Sequence, residues 1–445
     1  MKYGKRVMMT VWCLCVMAFV TGCSFQQRPY LDAAIQAANW LDASAVETVQ
    51  GTYWPIDPAN PAPSPTGIYH GTAGVVLFYL ELYHTTNNPE YLAEAERGAA
   101  YIISRIPQTA PPPVAAGFYS GQSGVGFALE QLHQVTGEDI YRDYAIQCLD
   151  RITHSAQLKG EGVEWAGVTD IISGSAGIGL FLLYANREME YKPARELAIK
   201  IGRRLIEKKI NTEEGWRWAM NEAYESQNYF MPNFSHGTAG VCYFLAALEE
   251  ATGDEEFLDG ALAGAQHLAA IENDEGLLFH HEPAGEDLFY LNWCHGPVGT
   301  SRLYYKLWEL TQNQQWLDKM QLPGGAMMHS GIPEEQTPGF WNNVGQCCGS
   351  AGLAEYYLNL HLTTGRMEYL DFARHATADL LARATPEGDG LKWISAEHRT
   401  QPDLLIAQTG YMQGAAGIGI WLLHLDAFEQ GKKALIKLPD SPFEY

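Results

Sequence analysis

The chain has 445 residues, of which 47% are hydrophobic and 18% charged, a composition that buries a large core and excludes intrinsic disorder. A formal net charge of -23, from 52 acidic and 29 basic side chains, repels phosphate backbones and excludes nucleic acid as a partner. Eight cysteines over this length are too sparse for a disulfide-stapled scaffold.

The first element is a targeting segment. Lys2, Lys5 and Arg6 precede an apolar run from Val7 to Val20, which leads into Thr21-Gly22-Cys23. Basic residues, a short apolar stretch and small residues before a cysteine predict a lipoprotein signal peptide over 1–22. Cys23 is then the acylated N-terminus, and 23–30 a lipidated tether. A single-pass anchor is the alternative, but the run is short for a bilayer span. The expectation is an exported protein, lipid-anchored to a bacterial membrane on its periplasmic or cell-surface face. Inner and outer membrane remain open alternatives.

A repeat organises the remainder, with a domain expected over 31–430 and a tail over 431–445. Seven tetrapeptides start with glycine and end with glycine, at Gly71, Gly121, Gly174, Gly237, Gly296, Gly349 and Gly414. Each leads into an apolar stretch such as VVLFYLEL, IGLFLLYA or IGIWLLHL, and so marks the start of a buried helix. Glycines there let backbones approach closely and are expected to leave N–H groups free towards a cavity. Amphipathic segments alternate with these helices, among them YLAEAERGAAYIISRI and FLDGALAGAQHLAAI. Their polar faces place them in an outer layer. One outer helix before each glycine motif, beginning near Leu31, predicts an all-α fold of seven hairpins.

Turns from inner to outer helices are short, and the return connections are long. Segments 210–235, 272–293, 322–346 and 384–409 are therefore expected as loops on the face where the inner helices start, walling a cleft.

The residues just before the seven motifs are His70, Ser120, Ser173, His236, His295, Cys348 and Gln413. All are polar and equivalent, so several converge if the repeats curve around an axis. One position earlier, repeats five and six carry Cys294 and Cys347, in WCHG and CCG. Cys294, Cys347 and Cys348 could hold Zn(II) with a fourth position open for water or substrate. A disulfide among them, or buried free thiols, are the alternatives.

Seven such motifs with WCHG in the fifth and CCG in the sixth resemble the lanthionine synthetase C-like family, over about Leu31 to Leu425. The resemblance implies an α/α toroid, a double ring of seven inner and seven outer helices. It implies zinc held by Cys294, Cys347 and Cys348, with cysteine in the last place where histidine is commoner. It also implies addition of a thiol to a dehydroalanine or dehydrobutyrine, giving a thioether. His236 and Asp170 match family acid–base positions, and His295 is a further candidate for proton transfer or for a fourth metal ligand. Tyr290 stands where the family's synthetases usually carry arginine.

The expected partner is a peptide or small-molecule thiol. Two other functions compete: a catalytically silent, zinc-stabilised binding module, and a sugar-processing toroid using two loop carboxylates from Asp170, Glu275, Glu282, Glu286, Asp287 and Glu335. Nothing in the sequence sets the oligomeric state.

Overall fold

The computed structural model describes Met1 and residues 28–106 and 115–444. The signal segment after Met1, Cys23 and most of the tether lie outside the described residues. The chain enters through an outer helix, α1 (Pro29–Ser44), and then alternates. Inner α2 (Thr72–Thr86) is followed by outer α3 (Pro89–Arg105), inner α4 (Gln122–Thr136) by outer α5 (Asp139–Ser155), and inner α6 (Ser175–Glu188) by outer α7 (Pro193–Glu207). A short helix, α8 (Glu222–Ser226), sits in the next loop. Then come inner α9 (Thr238–Thr252), outer α10 (Glu255–Ile271), inner α11 (Pro297–Thr311), outer α12 (Gln314–Met328), inner α13 (Ser350–Thr364), outer α14 (Met367–Ala382) and inner α15 (Ala415–Glu429).

Each inner helix contacts the next around a ring, and α15 contacts α2, so the ring closes into an α/α toroid. Every outer helix packs on the inner helix before it in the chain, and α1 packs on α15. The seventh hairpin is thus built from the two ends of the domain. An Arg28–Asp426 ion pair fastens it. The inner helices are apolar on every side because every side is covered: Ala415 to Ala427 is buried without a break.

Local chemistry explains the short turns. After α4, α9 and α13, Gly137, Gly253 and Gly365 take φ of 74°, 71° and 72°, the left-handed conformation that ends a helix cheaply at glycine. Asn88, Asp254 and Asn313 then cap α3, α10 and α12 by accepting from Glu90, Glu256 and Gln315 N–H groups.

The long connections are more regular than their sequence suggests. Antiparallel hairpins follow α1, α5, α7 and α14: β1 (Val46–Thr48) with β2 (Gly51–Tyr53), β3 (Gln157–Lys159) with β4 (Gly162–Glu164), β5 (Ile210–Asn211) with β6 (Trp216–Arg217), and β7 (Ala384–Glu387) with β8 (Gly390–Ala396) and β9 (Leu405–Ala407). Each brings a buried indole back to the preceding outer helix. Trp54, Trp165, Trp218 and Trp393 donate to the carbonyls of Leu41, Ile152, Leu205 and Leu380, satisfying acceptors that the end of a helix leaves open.

The segment expected as a loop from 322 begins later, because α12 continues through Pro323 to Met328. Tyr356 and Tyr357 hydroxyls donate to the carbonyls of Met320 and Gly324 and support the turn in which proline supplies no N–H. The C-terminal stretch folds into the ring's opposite opening. The Glu81 carboxylate accepts from the Leu435 and Ile436 N–H groups, and Asp440, fully buried, accepts from Tyr119 Oη at 2.9 Å.

Candidate metal centre and its cavity

The glycine motifs create the site by letting each connection fold back on its own helix. A Cβ on the second glycine would stand 1.9 Å from the Ile171 carbonyl at Gly177, 2.1 Å from that of Trp293 at Gly299 and 1.7 Å from that of Tyr411 at Gly417. Only glycine permits that approach. The N–H groups at the helix starts are consequently not free, which corrects the expectation from sequence. Thr72, Gln122, Ser175, Thr238, Ala351 and Ala415 each donate to the carbonyl seven residues earlier.

The segments before the motifs are also joined to one another. Tyr69 N–H bonds the Tyr119 carbonyl, Tyr119 that of Ile172, Ile171 that of Ser235 and Ser235 that of Cys294. Cys294 then bonds the Cys347 carbonyl, Cys347 that of Met412, and Met412 that of Tyr69. This circle of main-chain bonds brings the seven equivalent positions around one axis. Directly beneath, Ile68, Phe118, Ile171, Phe234, Trp293, Gln346 and Tyr411 form a buried layer, with Trp293 against Tyr119 and Phe234 at 5.3 and 5.7 Å between ring centroids.

Above that floor, Cys294, Cys347 and Cys348 are buried, and their sulfurs lie within 4.8 Å of one another. They are free thiols, so the disulfide alternative does not hold. Cys294 and Cys348 sulfurs are 3.5 Å apart, near the separation of about 3.8 Å that tetrahedral zinc with Zn–S bonds of about 2.3 Å requires. Donors point at the two sulfurs of the sixth repeat: Tyr69 Oη lies 3.0 Å from Cys347 Sγ, and Gln413 Nε2 lies 3.5 Å from Cys348 Sγ. Hydrogen bonds from Cys294 and Cys347 hold the Cys348 thiol well below its ordinary value, whereas burial pushes those of Cys294 and Cys347 up. The cluster thus carries one negative charge easily and further ones only with a cation among the sulfurs. Three buried cysteines therefore stand close enough to hold a metal ion. Among the described residues no histidine nitrogen or carboxylate joins the set, which leaves His295 beside it rather than in it.

The sulfurs line a cavity of about 230 Å³. His236, from the start of α9, and His280, His295 and Tyr290 form one wall. His236 Nδ1 is 2.5 Å from Asp170 Oδ2, while Asp170 Oδ1 accepts from Ser173 N–H at 2.8 Å. Both oxygens of this fully buried carboxylate are engaged, which orients the imidazole with Nε2 free of the pair. His295 stacks on His280 at 4.2 Å and lies 5.7 Å from His236, centroid to centroid. Burial, and then its neighbouring histidines, hold His295 well below its ordinary value and bring His280 down to about 4, so both are neutral near pH 7.

The loop between β8 and β9 supplies the remaining wall: Glu397, His398, Arg399 and Thr400. Burial opposes charge on Glu397, but His70 at 3.0 Å and Gln408 at 2.8 Å outweigh it and hold the carboxyl below its usual range. Arg399 Nε donates to Tyr290 Oη at 3.3 Å. Of the loop acids considered for sugar chemistry, Glu282 pairs with Arg217, and none of the six lines the cavity.

The sequence reading thus located the sulfurs, His236, Asp170 and His295, which the structure brings together. It missed Tyr69, His280, Glu397 and Arg399. Segment 384–409 is one of the loops expected to wall the cleft, and its Glu-His-Arg run is the available signal.

Comparison with known proteins agrees with this architecture. The structure resembles nisin cyclase with a TM-score of 0.63 and 18% sequence identity, over 89% of this chain and 92% of that one. It also resembles an inactive variant of the alpha-1,6-mannanase GH76A of Salegentibacter sp. HEL1_6 (TM-score 0.50, 13% identity, 90% and 99% coverage). A sugar epimerase from a ruminal bacterium matches similarly (TM-score 0.50, 12% identity, 90% and 97% coverage). These likenesses establish the toroid. The family described as lanthionine synthetase C-like protein matches residues 62–437, and the chain therefore belongs to the lanthionine synthetase C-like family.

Proposed function

We propose that this protein is a zinc-dependent enzyme that adds a thiol to the β-carbon of a dehydroamino acid or similar electrophile, forming a thioether. One observation carries the reading: three buried sulfurs and a carboxylate-anchored imidazole face the same small cavity. Cys294, Cys347 and Cys348 would hold the ion, which when bound supplies a positive centre that favours the deprotonated form of a substrate thiol.

The protein's own groups complete the reaction. The thiolate sulfur forms a bond to the β-carbon, the alkene π pair moves to the α-carbon, and a proton must then reach that carbon. His236 donates it from Nε2, with Asp170 holding Nδ1 and offsetting the imidazolium charge. Thiol and alkene become thioether with no change of oxidation state. Neutral His295 and His280 form the wall beside His236, and the buried layer that contains Trp293 closes the floor beneath the sulfurs.

A catalytically silent zinc-binding module remains the second reading, because Tyr290 occupies the usual arginine position. The discriminating experiment is turnover of a dehydroalanine-containing peptide with a free thiol, wild type against Cys347→Ala. Zinc-dependent rate above background, lost in the variant, supports the enzyme. Zinc binding without rate supports the module. The lipoprotein segment over 1–22, acylation of Cys23 and a place on the outer side of a bacterial membrane belong to the same proposal, and mass measurement of the mature N-terminus tests them. Among the described residues no helix is long and apolar enough to cross a membrane.

A further inference from the structure

Arg399 is the only arginine or lysine among the described residues lining the cavity. Its Nε donates to Tyr290 Oη at 3.3 Å, and no described carboxylate lies within ion-pair distance of its guanidinium, which leaves the terminal nitrogens as a fork without an anionic partner. Tyr290 is itself fixed, with its ring 5.0 Å from Trp341 and 4.4 Å from His280. The arginine is thus held at one edge and open at the other, the arrangement in which guanidinium recognises a planar carboxylate through two parallel bonds.

The surrounding charge narrows the ligand. Glu397, the carboxylate in the same lining, is already satisfied by His70 and Gln408, so the charge of Arg399 is left to balance one negative charge on a ligand. A planar, singly charged carboxylate matches that fork in shape and charge. The cavity's volume of about 230 Å³ admits a small molecule or a chain end.

Resting on the thiol-addition reading above, we propose that Arg399 anchors the carboxylate of the electrophile, which is therefore a dehydroamino acid with a free carboxyl group. In such an acceptor the carboxyl carbon is attached to the α-carbon, so anchoring it also sets which face of the alkene meets the sulfurs and His236.

The test pairs N-acetyldehydroalanine with its primary amide, each offered with one thiol to the zinc-loaded enzyme and to Arg399→Gln. The expected result is a KM for the acid that rises about tenfold or more in the variant, the scale of one lost charge-assisted contact. Its kcat for the acid should fall as well, because the alkene loses its orientation, while the amide's kinetics should change little. Arg399→Lys should recover part of the loss, because it keeps the charge without the fork. Equal losses for acid and amide, or no preference for the acid in wild type, overturn the proposal. Calorimetry with the saturated analogue N-acetylalanine separates the two readings: binding by wild type that Arg399→Gln abolishes, in an enzyme without turnover, refutes thiol addition and retains the carboxylate site.

Discussion

Asp170 Oδ2 lies 2.5 Å from His236 Nδ1, across the junction between the third and fourth repeats. The pair exists because the Ile171 N–H bonds the Ser235 carbonyl, so the two connections run side by side. Replacing His236 with Asn should lower kcat by about 10²- to 10⁴-fold, the usual worth of a positioned proton donor, with zinc content unchanged. Asp170→Asn should lower it less and alter the pH–rate profile. A His236→Asn enzyme with wild-type kcat in steady-state kinetics would remove the histidine from the mechanism.

Loss of one sulfur should cost metal and stability together, because zinc that binds only the folded chain adds its binding energy to folding. Metal analysis of wild type is expected to give about one zinc per chain. Cys294→Ala should abolish it and lower the melting temperature, as should a chelator acting on wild type. Cys348→His, which restores the ligand commoner in the family, should keep the metal. A zinc-free Cys348→His protein would count against the assigned coordination.

Acid should loosen the C-terminal closure before the helices. Burial opposes charge on Glu81, but His424 and the N–H groups of Ile436 and Leu435 outweigh it and hold its carboxyl below 4.5. The stabilisation from Glu81 is therefore complete above pH 4.5 and is lost as pH falls through the lower folded value. Glu81→Gln should show a lower melting temperature than wild type at pH 7, by an amount that shrinks towards pH 3. A constant difference across that range would exclude Glu81 as the source.

The second glycines should tolerate no side chain. Gly177→Ala places a Cβ 1.9 Å from the Ile171 carbonyl, so the connection carrying Asp170 must move. Overpacking of this kind costs about 1–3 kcal/mol, readable in urea unfolding. Gly137→Ala, with open space around it but φ of 74°, should cost about 1 kcal/mol through backbone strain alone and leave activity intact.

The sequence exposed what the repeat repeats. Each glycine motif opens an inner helix in the structure, and Cys294 and Cys347 could be matched because they occupy one register in adjacent units. Asp170 and His236 were found through family resemblance, since nothing local distinguishes a buried partner from a loop cap. Arg399 and Glu397 escaped because the β8–β9 loop occurs once and has no counterpart to compare. The first three hairpins escaped for a different reason: strands of two or three residues are too short for alternation to register, and their tryptophans bond carbonyls thirteen positions upstream.

The packing of α1 on α15 has a consequence for assembly. Tyr69 comes from the first repeat and Gln413 from the last, yet both bond the sulfurs of the sixth. An arc of hairpins still lacking its final helix would present two or three thiols without the donors that orient them. Metal affinity should therefore arise abruptly when the two ends of the chain meet, making a loaded ion a report that the circle has shut.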